Sequence, residues 1–260
     1  MKVVVLLKKV PDLESDFVLS DKGDIDYSAL KFIINPYDEI AVEEALRIKD
    51  KGGASVETIV VCCDEHYESN DIVLKALALG IDRAVIIKTK ATNDLSGRST
   101  ARLLAEELKK IEPDLIFCGK NSSDSNNSQV PAMLSELLDL PFVHAITKFR
   151  LLDDGSCIVE KPLNESTNEY KINLPAILSV DKTLNTPRYA NLMGIMKAKQ
   201  KPVEVVDGGT HVIPSGQRSV SAVKYHRPNQ KPPINFIDEG STTQNAKTLI
   251  KILQEKSLIQ

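Results

Sequence analysis

The chain has 260 residues, of which 42 % are hydrophobic and 27 % are charged, and its net charge is −3. That length suits one large domain or one domain with an appendage, and the charge gives no bias toward nucleic acid. With 5 % aromatic residues and no Trp, a stacking platform for single strands is not expected, and no apolar run approaches the roughly 20 residues of a membrane helix.

The N-terminal segment carries a short apolar, β-branched run from Val3 to Leu7, typical of a strand that is covered on both faces. A lysine precedes the run, as in a signal peptide. The run is short, two more lysines follow it, and a small-residue cleavage site is lacking. We therefore expect a buried strand of a cytoplasmic protein.

The next regular element is a helix over "NPYDEIAVEEALRIKDKGG". Asn35 is the predicted N-cap, Pro36 takes the first helical position, and Gly52-Gly53 ends the helix. Strand and helix patterns then alternate as far as Pro141. Strands are predicted for "SVETIVVCC", "RAVIIK" and "DLIFCG"; helices for "ESNDIVLKALALG" (capped by Ser69 or Asn70), "SGRSTARLLAEELKKIEP" and "SQVPAMLSELLDLP". This alternation predicts an α/β fold with a doubly wound, mostly parallel sheet.

After Pro141 the pattern changes. The stretch "VHAITKFRLLDDGSCIVEKPL" predicts a β-hairpin extension that turns at Asp154-Gly155, and "YKINLPAILSVD" predicts another extended run. From about Val203 the chain is rich in Pro, Gly and Ser, which predicts an extended C-terminal arm. The arm ends in a predicted amphipathic helix with an apolar side formed by Ala246, Leu249, Ile250, Leu253 and Leu258.

The predicted organisation is therefore a domain over residues 1–206 and an arm over 207–260. A long arm that ends in an amphipathic helix suits docking on a partner chain. The pattern leaves equally open that the arm folds back on its own domain.

Ligands of a doubly wound sheet bind beyond the carboxyl ends of the strands, near the switch in strand order. Polar segments follow three predicted strands, at Lys8–Pro11, at Cys63-Asp64 and in "CGKNSSDSNNSQ" (118–129). The helix starts at Asn35 and near Ser128 offer backbone N–H groups to an anion. Gly119 would let the backbone approach a ligand closely. Composition leaves open whether the third segment is a solvated loop or a phosphate cradle.

Catalytic signals are few. The sequence has no GxGxxG fingerprint after the first strand, no Walker loop, no HExxH and no GxSxG, and its four cysteines and four histidines lack metal-ligand spacing. Cys63 or Cys118 could be proposed as a nucleophile, but both end apolar strands, where inert core thiols are more common. The sequence predicts a binding protein without catalytic or metal-binding residues.

Three segments together resemble the β subunit of electron-transfer flavoproteins. "VVVLLKKVPD" is similar to that family's start, "NPYDEIAVEEALRIKDKG" to its first helix, and "CGKNSSDSNNSQ" to its nucleotide loop. The most specific match is "LPAILSVDKTLNTPRYANLMGIMKAK", which resembles the family signature with its Asn-x-Pro-Arg-Tyr run. The resemblance extends from Met1 to about Val206.

The resemblance implies a heterodimer with an α subunit, which carries electrons from flavin-dependent dehydrogenases, such as acyl-CoA dehydrogenases, to a quinone oxidoreductase or another acceptor. It implies that the redox FAD lies mainly in the α subunit and a structural AMP in this one. By position, the implied AMP contacts are Leu6, Asn35, Pro36, Tyr37, Asp38, Cys63, Gly119, Lys120, Asn121, Ser122, Ser123, Asp124, Ser125, Asn126, Asn127, Ser128, Gln129 and Val130.

The resemblance also places a partner-recognition loop at residues 189–199. Leu192 would be the apolar anchor that enters a pocket of the dehydrogenase, although an ordinary core leucine is the alternative. Lysines in the loop would steer it toward an acidic partner. The implied partner contacts are Tyr189, Leu192, Met193, Ile195, Met196, Lys197 and Lys199.

Two departures from the family pattern bear on the cofactor. Asn121 replaces the usual Gln after Gly-Lys, and the loop has fewer acidic residues than usual. Bifurcating members hold a second FAD in the AMP position, react with NADH, and usually lack the Asn-x-Pro-Arg-Tyr run that this chain keeps. The resemblance therefore favours AMP and simple electron transfer. A bifurcating subunit and a stand-alone adenine-nucleotide-binding α/β protein are the alternatives.

Overall fold

The computed structural model describes residues 1–15, 17–20, 25–26, 30–65, 71–89, 96–208, 229 and 233–259. The predicted cap at Ser69 or Asn70 and residues 209–228, 230–232 and 260 of the predicted arm lie outside these ranges. Within them the strands are β1 (Lys2–Leu7), β2 (Lys9–Pro11), β3 (Phe32–Ile34), β4 (Glu57–Asp64), β5 (Arg83–Lys88), β6 (Leu115–Gly119), β7 (Phe142–Ile146), β8 (Lys148–Leu151), β9 (Ser156–Pro162), β10 (Thr167–Asn173), β11 (Ala176–Val180) and β12 (Val203–Asp207).

The helices of the described chain confirm every helix predicted from periodicity. They are α1 (Pro36–Gly52), α2 (Asp71–Leu79), α3 (Gly97–Ile111), α4 (Val130–Leu138), α5 (Leu192–Ala198) and α6 (Thr242–Glu255). The fifth, α5, was not predicted as a helix. As expected, α1 starts at a proline, and it stops before Gly53, whose φ of 57° favours glycine.

The main sheet has seven parallel strands in the order β12-β5-β4-β1-β6-β11-β7. The apolar run of β1 sends Val3 and Val5 into the core under α1 and α2, and Val4 and Leu6 into the core under α3 and α4. Both faces are covered, so the strand needs apolar side chains at every position rather than alternation. The predicted doubly wound α/β fold is confirmed.

Three features after Pro141 differ from the simple prediction. The hairpin at Asp154-Gly155 exists, between β8 and β9, and β10 completes a small antiparallel sheet. The segment before the hairpin turn, which was predicted as one strand, forms two strands, β7 and β8. They are separate because β7 joins the main sheet in parallel beside β11. Strand β12, which lies in the part predicted to be irregular, pairs in parallel with β5 from Val203 to Asp207.

The order of the strands defines where a ligand can bind. The chain passes from β1 to β4 and β5 on one side, then crosses to β6 on the other side of β1. Two adjacent strands whose connections leave in opposite directions open a crevice beyond their carboxyl ends. Here that crevice lies beyond Leu7 of β1 and Gly119 of β6, so it brings Lys8 next to the polar segment after β6.

Candidate functional site

A buried carboxylate joins the elements that meet at the switch point. Asp38, in the first turn of α1, is 4 % exposed, and its carboxylate accepts hydrogen bonds from the N–H of Lys8 (2.8 Å), the N–H of Gly119 (2.9 Å) and the amide of Asn35 (3.0 Å). Burial raises the pKa of the Asp38 carboxyl to about 7, although these hydrogen bonds and the charge of Lys8 lower it. Asp38 therefore holds β1, β6 and α1 together at the site.

Asn35 is the N-cap residue of α1, as predicted, but its side chain makes no cap hydrogen bond. The side chain instead connects α1 to the loop after β6. The amide donates to the Asn121 carbonyl (2.9 Å) and its oxygen accepts from the Ser123 N–H (3.1 Å).

The absence of a side chain at Gly119 makes room for the protein's own helix α1, and not only for a ligand. A Cβ at this position would lie 2.5 Å from the Asp38 carboxylate and 2.6 Å from the Tyr37 Cβ. The first turn of α1 fills the space beside the glycine, so any larger residue would push α1 away from β6. The expectation that this glycine serves the approach of a ligand is corrected to this extent.

The loop after β6, residues 119–130, is here called the switch-point loop. Its first half is tied to β1 by Lys8, whose ammonium lies 2.7 Å from the Asp124 carboxylate and 3.3 Å from the Ser122 hydroxyl. Burial acts to raise the pKa of Asp124, but the hydrogen bond and charge of Lys8 lower it overall. Asp124 is therefore ionised at neutral pH and orders the loop through Lys8.

Lys120 ties the same half of the loop to the far side of the crevice. Its ammonium is 2.7 Å from the Asp181 carboxylate at the end of β11, and it lies 5.1 Å from the centroid of the Tyr37 ring. Pro36, at the start of α1, is exposed beside them. The structure thus brings together the predicted site residues of α1 with the first half of the switch-point loop.

The second half of the loop presents backbone N–H groups. Asn126 and Ser128 both have φ of 53°, and Gln129 returns to a helical conformation immediately before α4. A left-handed residue followed by a right-handed one, as at Ser128-Gln129, turns successive N–H groups to one side, which is the geometry of an anion-binding nest. Within the described chain, the N–H groups of Asn127, Ser128 and Gln129 have no hydrogen-bond acceptor. Val130 begins α4, whose dipole adds positive potential there.

A second helix start lies beside this nest and was missed by the sequence reasoning. A Cβ at Gly97, the first residue of α3, would lie 3.0 Å from the Gln129 side-chain oxygen and 3.8 Å from a Val130 methyl group. Ser96 caps α3 through its hydroxyl, which accepts from the Ser99 N–H. The Ser-Gly pair before an apolar helix was visible in the sequence, but its position next to α4 was not.

Two polar atoms at the site are buried without a partner in the part of the chain that the structure describes. They are the side-chain oxygen of Asn121 and the hydroxyl oxygen of Ser123. The Asn121 amide group donates to the Asn126 side chain, so its unpaired oxygen faces elsewhere. An unpaired buried oxygen costs about 1–3 kcal/mol, which a ligand with a hydrogen-bond donor would recover.

Two further predicted contacts lie on strands β1 and β4 of the main sheet. Leu6 is 6 % exposed within β1, and Cys63 lies partly exposed near the end of β4. Burial and the neighbouring Asp64 carboxylate raise the pKa of the Cys63 thiol to about 12. Burial likewise raises the pKa of Cys118 well above its ordinary value. Neither thiol is an activated nucleophile at neutral pH.

The segment predicted as a partner-recognition loop, residues 189–199, is mostly helical and is here called the recognition segment. The helix α5 starts at Leu192, where the Asn191 side chain accepts from the Gly194 N–H (2.8 Å). The prediction of a loop, which the family resemblance implied, is wrong for residues 192–198. Asn191 is a helix cap, and Gly194 is needed for packing, since a Cβ there would lie 2.3 Å from the Ala78 carbonyl oxygen.

The recognition segment exposes an unusual concentration of apolar surface. Leu192 is 74 % exposed, so the alternative of a core leucine does not hold, and Tyr189 is 97 % exposed. The other exposed side chains of the segment are those of Met193, Ile195, Met196, Lys197 and Lys199. Large apolar side chains gathered on one short helix are typical of a protein-protein contact.

A salt-bridge clamp holds the recognition segment on α1. Arg188 donates from Nε and Nη2 to the two oxygens of Glu43 (2.8 and 3.2 Å), and its backbone N–H donates to the same carboxylate (3.1 Å). Asp50 accepts a further bond at 2.8 Å. Asn185 donates to the Ile40 carbonyl and to the Glu44 carboxylate. The Asn-x-Pro-Arg run therefore fixes the segment to α1, the helix that also borders the crevice at the switch point.

The C-terminal helix α6 confirms the predicted amphipathic pattern. None of its residues is buried, and Leu249 and Ile250 are 46 % and 49 % exposed. Before the helix, Ile234 and Phe236 are 79 % and 88 % exposed. The apolar side of α6 thus has no cover within the described residues.

Two kinds of site are absent from the described ranges. No helix there is long and apolar enough to cross a membrane. No group of three or more His, Cys, Asp or Glu side chains lies close enough together there to hold a metal ion.

The fold is that of a doubly wound α/β protein with a crevice at the switch point of its sheet. Residues 24–209 match the family described as electron transfer flavoprotein domain. Relatives named electron transfer flavoprotein subunit beta include those of Syntrophomonas wolfei (37 % identity over 203 residues, 78 % of each chain), Bacillus subtilis (30 % over 262 residues, 100 % of each) and Mus musculus (33 % over 261 residues, 98 % of this chain and 97 % of the mouse protein). The chain belongs to the electron transfer flavoprotein β-subunit family, whose members are electron carriers.

Proposed function

We propose that this chain pairs with an α subunit and carries electrons from flavin-dependent dehydrogenases, such as acyl-CoA dehydrogenases, to a quinone oxidoreductase or another acceptor. In this proposal the redox FAD lies mainly in the α subunit, and this subunit holds a structural AMP. The observation that carries the proposal is the pairing of an anion nest at the switch point with an exposed apolar helix fixed to the same α1.

The residues present suit AMP. The nest at Asn127–Gln129 and the starts of α3 and α4 supply N–H donors and positive potential for the phosphate. The unpaired oxygens of Asn121 and Ser123 accept hydrogen bonds, as the exocyclic amine of adenine or a ribose hydroxyl requires. Leu6 and Cys63 provide apolar contact for the base. The Asp38 carboxyl, whose pKa is about 7, is occupied by three donors of the protein itself, and neither cysteine is activated, which suits a structural nucleotide.

The recognition segment suits docking on a dehydrogenase. Leu192 is a rigidly mounted, exposed leucine among two methionines, and methionine adapts its shape to different partners. Such a helix provides an apolar anchor surrounded by side chains that exclude water. Lys197 and Lys199 would attract an acidic surface and raise the association rate.

The uncovered side of α6 suits docking on the α subunit. We propose a division into the domain 1–206 and the arm 207–260, with the arm as the part that holds the α subunit. Gly208 still donates to the Lys88 carbonyl at the end of β5, so a deletion that tests the arm is best placed after Gly208. Loss of the heterodimer on this deletion, with the remaining domain folded, is expected. An unchanged heterodimer yield would refute the role of the arm.

Extraction of the bound nucleotide from the purified chain, with and without the α subunit, tests the proposal. We expect one AMP per chain and no flavin absorbance when the chain is expressed alone. Bound FAD, together with oxidation of NADH, would instead establish a bifurcating subunit. ATP, or no nucleotide, would favour a stand-alone nucleotide-binding protein.

A further inference from the structure

An apolar groove lies between α2 and α5, beside the recognition segment. It has a volume of about 250 Å³. Its lining is almost free of polar groups apart from two lysine ammonium groups, since it consists of Leu74, Lys75, Ala78, Ala190, Ile195, Ala198 and Lys199. Lysine side chains can line such a groove with their methylene groups and keep the charge at the rim.

The groove is built rigidly. Gly194 lets α5 approach the Ala78 carbonyl more closely than a Cβ would permit. Lys201 donates to the Leu77 and Ile81 carbonyls at the end of α2, at 2.9 and 2.5 Å. Ala198 is 3 % exposed between the two helices. A groove whose walls are fixed before binding loses little entropy when a partner enters it.

The size of the groove favours a side chain over a small-molecule ligand. Sites for drug-sized ligands span about 300–1,000 Å³. A cavity of about 150 Å³ already accommodates a benzene-sized group. The groove therefore has room for one large apolar side chain of another protein.

Charge at the rim indicates which protein supplies that side chain. Lys75 is paired with Glu39 at 2.5 Å, but within the described residues Lys199 at the rim and the nearby Lys197 form no salt bridge with a carboxylate. The chain's own helix α6 carries Lys247 and Lys251 beside its apolar side, so it would bring positive charge to a positive rim. An acidic partner fits better than α6.

We infer that the groove between α2 and α5 receives an apolar side chain, flanked by carboxylates, from the flavin-dependent dehydrogenase that donates electrons. The inference rests on the proposed function. The contact is then reciprocal, because Leu192 enters the dehydrogenase while a side chain of the dehydrogenase enters this groove. Two anchors fix the orientation of the partner, which a single leucine does not.

The test uses the full heterodimer and purified acyl-CoA dehydrogenases, with the heterodimer as the varied substrate in steady-state assays. Leu74→Asp places a charge in the groove, and Leu137→Asp is a matched control on α4, since the two leucines are 40 % and 38 % exposed. We expect Leu74→Asp to raise KM at least tenfold with kcat within twofold, and Leu137→Asp to leave both unchanged. Nucleotide content and thermal midpoint of each variant are measured in parallel.

Two milder substitutions keep the groove testable if the Leu74→Asp variant does not fold. Leu74→Ala should raise KM by a smaller factor, and Lys199→Glu should raise KM and weaken its dependence on ionic strength. An unchanged KM in folded Leu74→Asp, or a loss of kcat alone, would overturn the groove assignment while leaving the proposed function intact. If no acyl-CoA dehydrogenase reduces the unaltered heterodimer, the proposed donor is wrong and the groove assignment falls with it.

Discussion

The substitution Arg188→Ala should release the recognition segment from α1 without unfolding the domain. The side chain of Arg188 makes two bonds to Glu43, whose side chain is only 6 % exposed, and one to Asp50, whose side chain is 59 % exposed. After truncation, Glu43 keeps the bond from Arg47 (3.1 Å) and the backbone N–H of residue 188. The lost contacts lie almost entirely between α1 and the recognition segment.

The magnitude follows from the burial of the two partners. Breaking a fully buried ion pair costs about 3–5 kcal/mol, and an exposed pair contributes about 0–1 kcal/mol. Here one side chain is buried and the other is 36 % exposed, which places the loss near 2 kcal/mol, with little from the Asp50 bond. A loss of about 2 kcal/mol corresponds to a roughly thirtyfold change in the local opening equilibrium.

Hydrogen exchange of the α5 amides measures that opening directly. Exchange in α5 should accelerate about thirtyfold, while β1 and β4 change little. Arg47→Ala is the matched control, because Arg47 contacts the same Glu43 but stays within α1, and its i,i+4 pair is worth less than about 1 kcal/mol. Arg188→Lys should restore only part of the protection, because lysine lacks the bidentate fork.

Two results would refute this reasoning. The first is equal α5 exchange in Arg188→Ala and Arg47→Ala. The second is a coupling energy near zero between Glu43→Gln and Arg188→Ala in a double-mutant cycle.

The direction in which this stabilisation changes with pH is also defined. Burial acts to raise the pKa of Glu43, but Arg188 lowers it overall. The stabilisation is therefore present at neutral pH and is lost as pH falls through the lowered pKa, where variant and unaltered protein should converge.

Three further predictions concern the crevice. Gly119→Ala should lower stability by about 1–3 kcal/mol and reduce nucleotide content, because its Cβ would meet Asp38; an unchanged midpoint in thermal denaturation would contradict the close packing. Lys8→Gln should change stability by less than about 1 kcal/mol, yet weaken nucleotide binding measured by calorimetry, since Asp124 loses its tether; equal affinity would argue against a role of the loop. Cys63 should resist maleimide at pH 8 in the native state but react after unfolding, because a pKa of about 12 leaves about one thiolate in ten thousand; rapid native labelling, located by mass spectrometry, would show otherwise.

Local patterns in the sequence were enough to predict most elements. Continuous β-branched runs correspond to strands buried on both faces, and the proline at the start of α1 and the glycines after it mark its ends. The recognition segment shows the limit of such patterns. Glycine at position 194 disfavours a helix by about 1 kcal/mol, and only the close packing of α5 on Ala78 explains why it is there.

Strand β12 shows a second limit. The four residues before Asp207 alternate only weakly between apolar and polar side chains. The Gly- and Pro-rich stretch that follows them suggested an irregular arm. Pairing with β5 supplies the backbone hydrogen bonds of this strand, which the local sequence pattern did not predict. A strand at the edge of a sheet depends on its neighbour more than on its own propensity.

The sequence by itself determined the alternation of strands and helices, the polar loop after β6, and the likeness to one family. These are properties of short windows, where periodicity and capping act over a few residues. Only the tertiary structure decided which of these segments come into contact with one another. Asp38 reaches Lys8 and Gly119, and Arg188 reaches Glu43, because the chain reverses its direction of winding at β1 and because α1 packs across that reversal. Contacts between residues far apart in the chain follow from the order of the strands in the sheet. That order cannot be inferred from any short stretch of sequence.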